Sequence, residues 1–269
     1  MKSIMLHIHD DAEQGNRLQL ALDLARLGGG HISCVQVAAV EPYASDPYGG
    51  LFGLAAIIDT IHDQDKLARQ AIEARLARED VAWDWRCFDG GVVETLIAQS
   101  RLADVLVVSQ PMPGRHVHDH PLPIVGDVVL HTSAPVLVAP IGARGFKDDG
   151  NALLAWNGSA EAAHAMRLTV PLLKHAACVH VVEVGDDASG TPPVEAASYL
   201  VRHGIPCEVH DWPAKGRRTA VALLDAVAEL DADYLVMGAY GHSRLRETVL
   251  GGVTRALIQS ATVPLLLAH

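Results

Sequence analysis

The sequence predicts an α/β fold with two similar Rossmann-like domains, each a five-stranded parallel sheet with helices on both faces. Short apolar runs alternate with longer helix-like segments, as in residues 4–8, 13–27 and 32–40. The same plan then recurs, with short apolar runs at residues 152–156, 178–184, 206–212, 234–237 and 263–268. Short strands that are buried on both faces and joined by helices form parallel sheets with right-handed crossovers.

The two halves of the chain are related by a sequence repeat. Residues 104–109 match residues 233–238, and residues 134–138 match residues 263–267, both at an offset of 129 positions. The opening segments, residues 8–13 and 156–161, align at an offset of 148, which places a longer insertion in the first half. A shared offset over two separate segments indicates a duplicated unit. We therefore expect the halves to be diverged copies of one domain.

The connections between the predicted strands divide the chain. The helix between the second and third strands is predicted over residues 51–79, where Gly49, Gly50 and Gly53 loosen its start, and over residues 192–203 in the second half. Residues 140–150 combine turn formers with charges, which is typical of a linker. The predicted domains are therefore residues 1–142 and 150–269.

Charge and hydropathy exclude several classes of partner. The 269 residues carry 21 basic and 32 acidic side chains, a formal net charge of −11, which repels nucleic acid and anionic membranes. Residues 1–10 turn polar before they could form a signal peptide, and no run approaches the ~20 apolar residues of a membrane span. We expect a cytoplasmic protein with neither a nucleic-acid nor a membrane partner.

The candidate metal ligands do not form a strong pattern. The cysteines are scattered singly in strand-like segments, which favours buried reduced thiols over a zinc site; they are Cys34, Cys87, Cys178 and Cys207. His116, His118 and His120 alternate, so an extended chain would put all three on one face. A solvated loop in a protein with 15 histidines is the simpler interpretation, and no metal ligand is predicted.

Residues 237–254 are the segment that the sequence predicts to bind a ligand. They lie between the fourth strand of the second half and its last helix, and ligands of parallel sheets bind at the carboxyl ends of strands. Glycines there permit tight turns and close approach of the backbone to a ligand, and the start of the helix offers unpaired N–H groups to phosphate. His242 and Arg244 would add charge.

The glycine spacing of this loop, Gly-x2-Gly-x9-Gly after a Val-Met strand, resembles the nucleotide-binding signature of the universal stress proteins. Residues 153–159 and 180–183 and the doubled domain extend the resemblance over the chain. The resemblance implies an adenine nucleotide alpha hydrolase-like fold and a stress-response sensor that binds ATP, with Mg²⁺ as its companion, and performs little or no catalysis. The implied nucleotide contacts are Ala155, Asn157, Val181, Gly238, Gly241, His242, Ser243, Arg244, Gly251, Gly252, Val253 and Thr254.

Two of these positions depart from the family pattern. Asn157 stands where the family usually has Asp, and its side chain can still bond a ribose hydroxyl. Gly252 stands where the family usually has Ser or Thr facing phosphate, and Thr254 is the nearest hydroxyl that follows. The backbone near Val181 is the implied contact of the adenine.

The first half lacks the loop. It has Ser109 in place of Gly238, and Leu122 and Pro123 in place of Gly251 and Gly252. Pro123 and the nearby Pro121 have no N–H to donate. Each hydrogen bond to a charged phosphate contributes about 1.5–3 kcal/mol, so the loss of two would weaken a micromolar site to millimolar or worse. We expect nucleotide in the C-terminal half only.

Three functional hypotheses follow. The first is the ATP sensor, and the second is a nucleotide hydrolase or adenylate-transferring enzyme, which would need His242 or Glu247 as acid or base. The third is a nucleotide-free interaction protein with another small ligand. Ser159 is interpreted as a helix N-cap rather than a nucleophile, and residues 215–218 as a solvated helix start rather than a lid.

The last strands of the halves suggest how the halves assemble. In the family such strands often pair across a two-fold axis. We expect residues 136–138 and 265–267 to pair within the chain, as an intramolecular pseudo-dimer, and whole chains to form a homodimer.

Overall fold

A computed structural model describes residues 1–38, 66, 69–111, 124–147, 149–185, 190–240 and 251–269. The first half contains β1 (Ser3–Ile8), α1 (Gln14–Gly28), β2 (His31–Ala38), α2 (69–76), β3 (Ala82–Asp89), α3 (Val92–Gln99), β4 (Val105–Ser109), α4 (Val125–His131) and β5 (Val136–Ala139). The second half contains β6 (Asn151–Trp156), α5 (Ala160–Leu173), β7 (Val179–Val184), α6 (Pro193–Arg202), β8 (Cys207–Trp212), α7 (Thr219–Glu229), β9 (Ala232–Gly238), α8 (Gly252–Ser260) and β10 (Leu265–Ala268).

The ten strands form one sheet in the order β3-β2-β1-β4-β5-β10-β9-β6-β7-β8. Neighbours within each half are parallel, and each half has the same strand order. The predicted α/β class with parallel strands is confirmed, and the predicted strands agree with the observed ones to within two residues at each end.

The two halves meet at an antiparallel pair of strands. In the pairing of β5 with β10, Leu265 lies opposite Val138, Leu266 opposite Leu137 and Leu267 opposite Val136. This is the strand pairing expected from the sequence. The side chains of both strands are buried, so the hydrophobic cluster on each face of the sheet contains residues from both halves.

The segment between the halves is packed against both of them, although its composition is that of a linker. Phe146 is buried, and its ring lies 4.9 Å from the ring of Tyr234. Its backbone N–H donates to the Asp23 carboxylate at 2.8 Å, and Lys147 forms an ion pair with Asp233 at 3.2 Å. Phe146 and Lys147 therefore hold this part of the segment against both halves of the chain.

Other expectations have mixed outcomes. Cys34 is buried, but Cys87 is exposed and Cys178 and Cys207 are partly exposed, so the prediction of buried thiols is wrong for most of them. Most of the predicted helix 51–79, with Gly49, Gly50 and Gly53, lies outside the described residues. None of the helices in the described ranges is long and apolar enough to cross a bilayer.

A buried guanidinium joins the carboxyl ends of β1 and β4 in the first half. The Arg17 side chain is 1% exposed and forms an ion pair with the fully buried Asp11 carboxylate at 3.1 Å. Arg17 also donates to the carbonyl oxygens of His7 and His9, to Gln14 Oε1 and to Ser109 Oγ. Burial of a charge is tolerated only when it is paired and hydrogen-bonded, and Arg17 meets both conditions.

This network perturbs a neighbouring histidine. His7 is 3% exposed, and burial, followed by the positive charge of Arg17 and the proximity of His9, lowers its pKa well below 6.5. The imidazole therefore stays neutral in the folded protein under conditions in which the unfolded chain takes up a proton.

We expect His7 to make the fold sensitive to acid. Below pH 6.5 the unfolded state binds the extra proton, so the free energy of unfolding falls as pH decreases, by up to about 2 kcal/mol between pH 7 and 5 from this group. Urea denaturation of wild type and His7→Leu across this range measures the effect. The variant should have the shallower dependence on pH, and equal slopes for the two proteins would contradict the assignment.

Tyr234 offers a second test. Its side chain is fully buried, and its hydroxyl has no hydrogen-bond partner within the described part of the chain. Because an unsatisfied buried hydroxyl costs about 1–3 kcal/mol, Tyr234→Phe should raise the free energy of unfolding by about 1 kcal/mol. The control is Tyr240→Phe, which removes a hydroxyl that donates to the Gly126 carbonyl at 3.2 Å and should lower stability. Opposite signs in thermal unfolding are the expected result.

Candidate functional site

The carboxyl ends of β6 and β9 form a topological switch point in the second half. Strand β6 pairs with β7 on one side and with β9 on the other, and the chain leaves β6 for α5 and β9 for α8. Ala155 pairs with Val182 and Met237 near these ends and is partly buried. Open parallel sheets bind ligands at such a point, because the outgoing connections diverge there.

The turn after β6 is built from Asn157, Gly158 and Ser159. Ser159 caps α5, with Oγ accepting from the Ala162 N–H at 3.2 Å, so the predicted N-cap is confirmed. The Asn157 side-chain oxygen accepts from the Ser159 N–H at 3.2 Å, and the Asn157 side chain is exposed. Gly158 has φ +70, and a Cβ there would lie 2.7 Å from the Thr191 nitrogen. These contacts therefore fix the conformation of the turn. Asn157 lies directly after the carboxyl end of β6, next to the switch point.

Gly238 is needed for packing at the end of β9. A Cβ at this position would lie 2.4 Å from the Ala162 nitrogen and from the Glu161 carbonyl carbon. No flexible side chain is involved in these contacts, so the strand end and the first turn of α5 could not meet if residue 238 were larger. Gly238 brings the outgoing loop close to the helix start.

The N-terminus of α8 has the properties of an anion site. Its N-cap residue is Gly251, which has no side chain to cap the helix, and its first turn contains no acidic residue. A Cβ at Gly252 would meet no described atom within 4 Å, and Thr254 is buried with its hydroxyl near Gly251. The first N–H groups of a helix lack partners within it, and the first turn of α8, which follows the carboxyl end of β9, contains no acidic residue.

Tyr240 lies near the start of the glycine-rich segment of residues 237–254, called the glycine loop, and contacts the other half of the chain. It has φ +69, and its hydroxyl donates to the carbonyl oxygen of Gly126 in α4. Its ring lies 5.8 Å from that of His269, edge to face. Burial, with a smaller contribution from the Asp127 charge, raises the pKa of Tyr240 to about 12. The residue at which the loop begins is therefore held by a hydrogen bond to the first half of the chain.

Not all the predicted contacts come together. Val181 lies in the interior of β7, fully buried, in the hydrophobic cluster on the face opposite Ala155, and its strand is paired on both sides. Val184 ends β7, is partly buried and shares the face of Ala155 and Val253. Val184 is not among the contacts predicted from the sequence, although it is the last residue of the predicted strand. Several residues singled out from the sequence lie outside the described residues, namely Gly241, His242, Ser243, Arg244, Glu247, His116, His118 and His120.

Residues 215–218 form the turn and the N-cap that precede α7. Arg218 is the N-cap residue of α7, and Arg217 forms an ion pair with Asp225 within that helix. Lys215 and Gly216 both have positive φ, which makes the turn that precedes the helix. The arrangement favours the solvated helix start over the lid.

The first half differs at the equivalent place. Ser109 replaces Gly238 at the end of β4, and its hydroxyl accepts a hydrogen bond from Arg17. The guanidinium spans from the His7 carbonyl in β1 to Ser109 in β4, so side chains occupy the space between these two strand ends. The corresponding helix, α4, carries Asp127 in its first turn, which disfavours an anion there.

A separate cavity of about 340 Å³ lies at the carboxyl ends of β2 and β3. Arg69 lies 5.3 Å from the ring centre of Trp85, and its guanidinium is 3.6 Å from the Cys87 sulfur. The lining residues are Gln36, Ala38, Lys66, Arg69, Cys87, Phe88 and Asp89. This cavity is distinct from the switch point in the second half.

Comparisons with known proteins agree with this geometry. Residues 214–269 match the model of the universal stress protein family, and they include the glycine loop and α8. No curated protein matches the sequence. A universal stress protein from Archaeoglobus fulgidus is 15% identical with a TM-score of 0.76, covering 98% of this chain and 97% of its own. One described as putative, from Pseudomonas aeruginosa, is 14% identical with a TM-score of 0.61, covering 100% and 93%.

At these identities the structural likeness shows a shared fold, and the family match adds the relationship of the C-terminal segment. The resemblance drawn from the glycine spacing is thereby confirmed. Residues 214–269 are similar to the universal stress protein family, and the chain shares the fold of these two solved structures over 98–100% of its length.

Proposed function

We propose that this protein is a cytoplasmic stress-response sensor that binds one adenine nucleotide, ATP, in its C-terminal half. The observation that carries the proposal is the N-terminus of α8, which presents glycine backbone and has no acidic residue in its first turn. Such a helix start stabilises phosphate through its free N–H groups and its positive dipole end. The domains that would hold this arrangement are residues 1–142 and 150–269.

The remaining contacts divide between the sugar, the base and the outer phosphates. Asn157 is exposed at the end of β6 and would bond a ribose hydroxyl through its side-chain amide. Ala155, Val184 and Val253 are partly buried apolar side chains on one face of the sheet and would contact the adenine. In the glycine loop, Gly241 would allow close approach, Ser243 would donate a hydrogen bond, and His242 and Arg244 would neutralise phosphate charge together with Mg²⁺.

Binding without chemistry fits the residues of this site best. The sequence contains no Gly-x4-Gly-Lys-Ser/Thr phosphate loop, and no pair of acidic residues beside the glycine loop to hold a catalytic metal. Nucleotide would therefore act as a conformational ligand. Because Tyr240 links the loop to Gly126, a change in the loop would reach the other half of the chain.

The chain would itself be a pseudo-dimer. The antiparallel pairing of β5 with β10 supports this arrangement, since it joins two halves of equal strand order about a local two-fold axis. Whole chains would associate further as a homodimer, which the size of the protein in solution tests.

The test of the proposal is a charge placed at Gly252. A Cβ there would meet no atom of the described residues within 4 Å, so Gly252→Asp should fold normally and even gain about 0.3–1 kcal/mol from the helix dipole. Its carboxylate would occupy the phosphate position and repel the ligand. Calorimetric titration should give about one ATP per wild-type chain, and a loss of affinity of roughly 100-fold or more in Gly252→Asp, equivalent to about 2.8 kcal/mol.

The matched variant is Gly252→Ser, which adds a hydroxyl donor in place of a charge. We expect it to bind ATP at least as tightly as wild type. A stoichiometry of two, or equal affinities for the Asp and Ser variants, would place the nucleotide elsewhere; no binding by wild type would favour the nucleotide-free interaction protein.

Turnover separates the sensor from the hydrolase. We expect phosphate release from ATP to stay at the level of a protein-free control, with no change in His242→Ala or Glu247→Gln. Release well above that level that disappears in either variant would assign the second hypothesis instead.

A further inference from the structure

Four potential metal ligands lie on one face of β8, the edge strand, and its neighbour β7. Cys178 directly precedes β7 and His180 is its second residue, while Glu208 and His210 lie in β8. The parallel register pairs His180 with Glu208 and Val182 with His210. Because side chains alternate along a strand, the odd-numbered neighbours point to the other face and these four share a face.

The ligand atoms are close enough for one ion. His180 Nδ1 lies 3.0 Å from His210 Nε2, and Glu208 Oε2 lies 3.8 Å from the first nitrogen and 3.7 Å from the second. One ligand atom each of Cys178, His180 and Glu208 also fall within 4.8 Å of one another. In a tetrahedral zinc site with bonds of 2.0–2.3 Å, the ligand atoms are about 3.3–3.7 Å apart. The distances of 3.0–3.8 Å among His180, Glu208 and His210 bracket that spacing.

The donor set selects the class of metal. Two imidazole nitrogens, a thiol and a carboxylate suit zinc and similar transition metals, whereas calcium and magnesium prefer oxygen ligands only. His180 is 8% exposed, and its Nδ1 lies within hydrogen-bond distance of His210 Nε2. Glu208 is exposed, which leaves a route from solvent to the cluster.

The first half provides an internal comparison. By strand register, Ser33 and Asp84 occupy the places of His180 and Glu208, with His31 and Arg86 at the places of Cys178 and His210. There the Asp84 carboxylate accepts from Ser33 and lies 2.7 Å from His31 and 3.2 Å from Arg86, in a self-neutralised ion pair. In the second half, a histidine stands in place of the arginine, so the carboxylate faces two imidazoles instead of a permanent cation.

We propose that Cys178, His180, Glu208 and His210 bind one zinc ion that clips β8, the edge strand, to β7. A hydrogen bond between the two imidazoles accounts for the approach of His180 to His210 but leaves the convergence of Cys178 and Glu208 unexplained. The site lies toward the amino ends of the strands, whereas α8 begins at the carboxyl edge. Zinc binding is therefore measurable independently of nucleotide.

The experiment uses the full chain without an affinity tag, stripped with a chelator and titrated with ZnCl2 in a calorimeter. We expect one zinc per chain with micromolar or tighter affinity, weakened about tenfold or more in Glu208→Gln and in His210→Ala. Both residues are on the edge strand and at least partly exposed, so these variants should fold, which the Tm without zinc verifies. The matched control is His31→Ala, at the place of Cys178 in the first half, and it should bind zinc like wild type.

Two further variants test where the metal lies. Replacing His116, His118 and His120 by alanine should leave zinc binding unchanged; if this triple variant loses zinc while His210→Ala retains it, the proposal is overturned. With Co²⁺ as the probe, the thiolate-to-metal absorption band should disappear in Cys178→Ser and persist in Cys87→Ser. Absence of zinc binding by wild type at micromolar concentrations, or affinity that none of the four ligand variants lowers, also overturns it.

Discussion

The structure depends on the antiparallel pairing of β5 with β10. Each strand is the last of its half and would be a bare sheet edge on its own, with unpaired backbone groups and a row of apolar side chains. Pairing Leu266 with Leu137 closes both edges at once and lets the hydrophobic clusters on the two faces run through both halves. The two five-stranded sheets thus form one ten-stranded sheet with this strand pair at its centre. Its outer edges are β3 and β8.

The same frame carries different chemistry in its two copies. In the first half a guanidinium and a serine hydroxyl fill the space between the strand ends, and Asp84 is neutralised by Arg86. In the second half a glycine lies against a helix start, and the residue that matches Arg86 is a histidine. Because the strand pairing holds the backbone in both copies, the side chains of one copy were free to change without loss of the fold.

The proposed nucleotide and zinc sites occupy opposite ends of the strands in the second half. The nucleotide site relies on backbone groups whose direction is set by α8, so it needs small residues more than charged ones. The zinc site relies on side chains that project from two neighbouring strands. The hydrogen bond from Tyr240 to Gly126 links the start of the loop in the second half to the first half of the chain.

Local patterns were sufficient for much of this protein. The alternation of apolar runs and amphipathic segments determined the α/β class, the repeat determined the doubling, and Ser159 was recognisable as an N-cap because a cap involves only residues three apart. The glycine spacing likewise indicated the family, since both the loop and the helix that follows it are local in sequence.

What only the tertiary structure decided involves residues distant in the chain. Strand pairing placed Ala155 between Val182 and Met237, and packing against Ala162 explained why residue 238 is glycine. Cys178 and Cys207 are isolated in the sequence, but the pairing of β7 with β8 brings Cys178 and His180 to Glu208 and His210. A sequence pattern reports the face on which a side chain lies, whereas the neighbour it meets there is decided by which strands pair and in what register, and that is a property of the folded chain as a whole.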